Sequence, residues 1–135
     1  AKDEDTGTLK NFALDRISEV RMTQKSFVLP DDFDAREYYK GFFGVYHDQT
    51  KVETVRLKVW WKQRDYFRTL PLNETMRETE VYDEWSIFEC ELAPTWEVEM
   101  ELLQYNDWVE VLAPEGLRNN MIDHASNILS LYKNS

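Results

Sequence analysis

The chain has 135 residues, 26 of them acidic and 16 basic, for a formal net charge of −10; 42% are apolar and 14% aromatic. This aromatic content suits a folded core rather than a disordered chain, and no apolar run approaches the roughly 20 residues that a membrane helix requires. The single cysteine, Cys90, leaves no internal disulfide framework and no cysteine metal site, and no secretory signal opens the sequence, so the expected compartment is the cytoplasm.

Residues 1–7 read as a turn or a frayed end. Leu9, Phe12, Leu14, Ile17 and Val20 then read as interior side chains of two strands, 8–13 and 16–28, broken at Asp15-Arg16. Two strands alone are marginal in water, so the chain reads as if it begins inside a domain. Pro30-Asp31-Asp32 stops the second strand. Asp34 and Glu37 have the spacing of a capping box, which predicts a short helix over 35–40 ended by Gly41 and Gly44.

Residues 52–61 give the clearest strand, with Val55, Leu57, Val59 and Trp61 on one face and Thr54, Arg56, Lys58 and Trp60 on the other. A short helix over 63–69 is ended by Pro71. Residues 75–82 and 85–92 flank Asp83-Glu84 and pair as a hairpin, with Phe88, Cys90 and Leu92 facing inward. A helix from Thr95, its N-cap, runs to about 105. Asn106-Asp107 adopts the left-handed turn at its end. A strand over 108–112 follows, and Pro114 starts a last helix with Leu117, Met121, Ala125, Ile128 and Tyr132 on its buried stripe. From residue 52 the order is strand, helix, strand, strand, helix, strand, helix. The class is α+β, and the first six elements match a ferredoxin-like split βαββαβ unit with one sheet face left open.

Charge is uneven along the chain. Residues 51–68 carry six basic side chains against two acidic ones, and residues 74–115 carry thirteen acidic against Arg77 alone. Arg56, Lys58 and Trp60 make a basic stripe with an aromatic end, which suits a nucleotide or single-stranded nucleic acid. The plainer reading is a solvated strand face neutralised by the nearby acids, and it is the stronger of the two on composition alone. For Arg16 the plainer reading is a local contact with Asp15, which is worth little at a surface. His47 and His124 have no nucleophile motif beside them, Cys90 alternates with Phe88 and Leu92 as a buried side chain, and no phosphate-cradling glycine loop or metal-ligand spacing occurs. The chain therefore reads as no enzyme, with no cofactor and no metal.

Several segments in order carry a family resemblance. Residues 8–29, with Leu14-Asp15-Arg16-Ile17 at their centre, resemble the last strands of a WYL domain, a small Sm-like barrel of bacterial transcriptional regulators. Residues 30–46 resemble the connection that follows. Residues 70–76 stand where the family often has Leu-Pro-Leu-His-x-Ser-Gln, with Asn73, Thr75 and Met76 at the last polar positions, and residues 109–118 resemble its closing strand and helix start. The resemblance implies that Arg16 and Lys10 line the WYL ligand pocket; Lys10 stands where Arg is usual and keeps the charge without the planar fork. It also implies that basic residues of the extension take part in effector sensing.

The expected organisation is the end of a truncated WYL barrel (1–30), a linker helix (31–49) and the WYL C-terminal extension (50–135). The expected function is a sensory and oligomerisation module of a bacterial helix-turn-helix regulator. Its partners would be a second copy of the chain, a nucleotide or single-stranded nucleic-acid effector at Lys10, Arg16, Arg56, Lys58 and Trp60, and DNA through a helix-turn-helix domain outside this sequence, with no membrane. The alternative is a ligand-free dimerisation or protein-interaction domain presenting Phe42, Phe43, Trp60 and Trp85.

Overall fold

The computed structural model describes residues 1–8, 10–12, 14–28, 31–43 and 50–133. The chain divides into two compact units, Ala1–Lys40 and Gly41–Ser135.

In the first unit, residues 1–8 and Lys10 fold back around Asp3. Its carboxylate accepts from the Asp5 and Thr6 amides at 3.0 and 2.9 Å and pairs with Lys10 Nζ at 2.6 Å. The Lys10 ammonium and the Thr6 amide hold this carboxyl well below the usual range. The two expected strands do not form among the described residues. Leu14–Arg16 is a 3-10 turn, and Glu19 has φ +53°, a conformation that ends an extended run. Among the described residues no strand runs over 8–28, and apolar side chains there stay in solvent: Leu14 is 84% exposed and Phe27 87%. Alternation of apolar residues forms a ladder only where a neighbouring strand supplies the hydrogen bonds. Helix α1, Ala35–Tyr38, is shorter than expected. Asp34 caps it, accepting from the Arg36 and Glu37 amides, but Glu37 turns to Lys40 at 3.2 Å, so only half of the capping box is made. Gly44 and His47 lie outside the described residues.

In the second unit the elements are β1 (Glu53–Trp60), α2 (Trp61–Thr69), β2 (Arg77–Val81), β3 (Trp85–Leu92), α3 (Trp96–Leu103), β4 (Val109–Ala113) and α4 (Glu115–Lys133). They build a four-stranded antiparallel sheet in the order β2-β3-β1-β4. Register pairs Val55 with Cys90, Leu57 with Phe88 and Leu57 with Val111, so one face carries the apolar side chains of three strands. Phe67 of α2, Val98 and Leu102 of α3, Tyr105 just after α3, and Leu117 of α4 close over that face and complete the core. Cys90 is 2% exposed, and burial pushes its thiol up to about 12, so it serves as a small apolar side chain.

Local departures from the sequence reading have local causes. Trp61 does not extend the buried row of β1. It is the first residue of α2, two residues earlier than expected; its amide donates to Glu84 O at 2.8 Å and its side chain is 54% exposed. Thr95 stands at the N-cap of α3, but its hydroxyl is buried and accepts no helix amide. Asn106 takes the left-handed turn at φ +52°, as expected. Along α4 only Leu117 is buried and Met121 packs on the core, while Ile128 and Tyr132 are 46% and 79% exposed. The helix outruns the sheet that its stripe would cover.

Candidate functional site

The side chains opposite the core form an open sheet face. The pairs Arg56–Glu89, Lys58–Ile87, Trp60–Trp85 and Lys58–Glu110 point outward together because strand side chains alternate. Acids of β2 and β3 engage one end of the basic stripe. Arg56 Nη2 binds Glu80 Oε1, and its Nε lies 3.0 Å from Glu89 Oε1 as an ion pair whose angle makes no hydrogen bond. Tyr82 donates to the other oxygen of Glu80 at 2.7 Å, which holds that carboxylate in place.

Lys58 is different. Its Nζ lies 4.7 Å from the Trp60 ring centre and 4.8 Å from that of Trp85, and among the described residues no carboxylate pairs with it. Two indole faces hold the ammonium by attraction to their π-electrons. Tyr82 lies against Trp85 with ring centres 3.8 Å apart, which fixes that indole. Ile87 is 3% exposed even though it faces outward, so this end of the face has a small apolar floor of its own. A fixed cation beside aromatic surfaces can take an anionic group and stack a planar one.

Arg64, Arg68 and Arg118 are differently occupied. Arg68 grips Glu78 through two bonds of 2.9 and 2.8 Å and also reaches Asp65 at 2.8 Å. Burial pushes the Glu78 carboxyl up, but hydrogen bonds from Arg68 and Ser86 outweigh it, so the group lies below its ordinary value. Arg64 donates to Tyr82 O at 2.8 Å, and Arg118 of α4 donates to Glu110 and to Val111 O at 3.0 and 2.7 Å. A recess of about 240 Å³ on the same face is lined by Thr54, Thr75, Arg77, Thr79, Glu89 and Glu91 among others, and its polar groups bind one another: Thr54 to Glu91 at 2.8 Å and Arg77 to Thr75 O at 2.9 Å.

Of the expected site residues, the structure brings Arg56, Lys58 and Trp60 onto one face. Lys10 and Arg16 belong to the first unit, Lys10 paired with Asp3 and Arg16 exposed in the 3-10 turn. Residues 73–76 have a structural task. Asn73 Nδ2 donates to Glu91 O at 2.8 Å, the Glu91 amide donates to Thr75 Oγ1 at 2.9 Å, and Met76 packs on the core. Sequence reasoning missed a buried polar group: Glu99, 8% exposed, accepts from Asn120 at 2.6 Å and faces His124 Nε2 at 3.1 Å, tying α3 to α4.

Residues 51–129 match the WCX domain, the C-terminal extension found in WYL-domain regulators. The chain belongs to the WCX domain family. That is a family of transcriptional-regulator domains and not a catalytic one. The match covers the whole sheet, α2, α3 and all but the last four residues of α4, so the aromatic-held Lys58 lies within the WCX domain itself. No curated protein matches the chain. Among the described residues no helix is long and apolar enough to cross a membrane.

Proposed function

We propose that this WCX domain is the sensory and oligomerisation module of a bacterial helix-turn-helix regulator and takes a nucleotide or single-stranded nucleic acid on its open sheet face. The observation that carries the reading is Lys58, set between Trp60 and Trp85 with no carboxylate partner among the described residues. Arg56 orders the neighbouring strands through Glu80 and Glu89, and Lys58 and Trp60 meet the ligand. The strand order β2-β3-β1-β4 supports a ferredoxin-like unit whose helix-free face does the binding. Residues 1–30 would complete a WYL barrel, their exposed apolar side chains pairing with strands this stretch does not contain, and Lys10 and Arg16 would add cations to that pocket. Effector binding would shift the arrangement of domains in a dimer, which requires the effector to bind the two arrangements unequally. Fluorescence anisotropy of a labelled hexanucleotide of deoxythymidine tests the site. Binding to the wild type in low salt, weakened by Lys58→Gln, supports it, and an unchanged affinity in Lys58→Gln refutes it.

A second reading has one observation of its own. The last turns of α4 expose Ile128, Leu129, Leu131 and Tyr132, the last two at 70% and 79%. Such a helix end suits a ligand-free dimerisation domain. A concentration-dependent dimer that Leu129→Glu dissociates, and that no oligonucleotide affects, would favour it.

A further inference from the structure

Four of the five tryptophans lie at one end of the sheet. Trp60 ends β1, Trp85 begins β3 and pairs with Trp60, Trp61 begins α2, and Trp108 immediately precedes β4, whose first residue pairs with Val59. Only Trp96 lies elsewhere, at the start of α3 beyond the other end of β3. Two lysines are interleaved with the four. Lys58 lies between Trp60 and Trp85, and Lys62 Nζ lies 4.3 Å from the Trp108 ring centre and 5.6 Å from that of Trp61. Neither lysine pairs with a carboxylate among the described residues, whereas Arg56, Arg68 and Arg118 all do.

We infer that Lys58 and Lys62 form a two-phosphate subsite at this end of the sheet, and that its ligand is a short single strand rather than a mononucleotide. The inference rests on the proposed effector-binding reading and adds to it a second cation, Lys62, and a second pair of aromatic side chains, Trp61 and Trp108. Each ammonium is positioned by two indoles but keeps its N–H donors for an outside acceptor, since a π-face takes the charge and not all three protons. A mononucleotide offers one base and one phosphate cluster and leaves half of this arrangement unused. A strand of a few nucleotides offers consecutive phosphates and bases with π-faces, and stacking tolerates any base. Asp83, Glu84 and Asp107 stand beside Trp85 and Trp108 in the chain. These acids oppose a long polyanion and limit the ligand to few phosphates.

The test is the salt dependence of binding of a labelled hexanucleotide of deoxythymidine to the full chain, with thermal melts as a folding control. Two phosphates neutralised on a single strand give a slope of log affinity against log salt of about −1.4, or about 7-fold weaker binding between 50 and 200 mM salt. In Lys62→Gln the slope should fall to about −0.7, a loss of about 2.6-fold over the same range. Lys58→Gln should do the same, and the double variant should lose the dependence. A Lys62→Gln protein with wild-type affinity and slope, beside a weakened Lys58→Gln, overturns this inference and leaves the one-lysine site standing. Equal competition by thymidine monophosphate overturns the choice of a strand. Absence of hexanucleotide binding to the wild type at 50 mM salt overturns both readings.

Discussion

Replacing Arg56 with Met should destabilise the domain without abolishing ligand binding. Arg56 stands between Glu80 of β2 and Glu89 of β3, and the three side chains are 41%, 38% and 37% exposed. At that exposure each ion pair contributes about 0.2–1 kcal/mol. Methionine keeps most of the stem's packing but leaves two carboxylates on neighbouring strands without the cation between them, which adds a few tenths of a kcal/mol or more. The sum is about 1–2 kcal/mol, or a fall in Tm of roughly 4–16 °C for a domain of this size. Thermal unfolding followed by circular dichroism measures it. The difference should shrink in 1 M salt, where charges are screened within about 3 Å, and Glu80→Gln in the same chain should restore part of the loss. An unchanged Tm combined with lost oligonucleotide binding would refute the reasoning and make Arg56 a ligand group.

Two other substitutions test the fold near the site. The Glu78 carboxyl lies below its ordinary value of 4.5 in the folded state, so its contribution is fully present above that pH and is lost as pH falls through the lower folded value. Glu78→Gln should therefore reduce stability at pH 7 and flatten its decline in acid, and an acid titration of Tm that is parallel in the two proteins would contradict this. Gly41 has φ +79°, and a Cβ there would come within 2.6 Å of Val52 Cγ2. Gly41→Ala should cost about 1–2 kcal/mol for the left-handed backbone alone, with Val52→Ala recovering only the steric part; urea unfolding with no change in midpoint would dispose of that account.

Much of the WCX domain could be read from residue types. The alternation of Val55, Leu57 and Val59, the Asp83-Glu84 turn and the Asn106 turn are local signals, and local signals survive because neighbouring residues alone produce them. The strands expected over 8–28 do not form among the described residues, because a ladder needs partners that no periodicity supplies. The spacing of two from Val59 puts Trp61 on the buried row, and only its amide bond to Glu84 shows the chain already turning into α2. The basic stripe was legible as Arg56, Lys58 and Trp60, but which cation an acid takes depends on register between strands distant in sequence. The same holds for Trp85 and Trp108, which reach the site from the starts of β3 and β4. Their common signal was a tryptophan at or just before a strand start. Glu99 looked like one acid among many until α4 brought Asn120 and His124 to it.

The central claim is that the tryptophan end of the sheet receives the effector. The indole N–H signals in a ¹⁵N correlation spectrum, recorded as the deoxythymidine hexanucleotide is added, test it most directly. The account predicts saturable shifts at Trp60 and Trp85, with Trp61 and Trp108 following, and a still signal from Trp96 beyond the other end of the sheet. Still signals from Trp60 and Trp85, or shifts confined to Trp96, would contradict it.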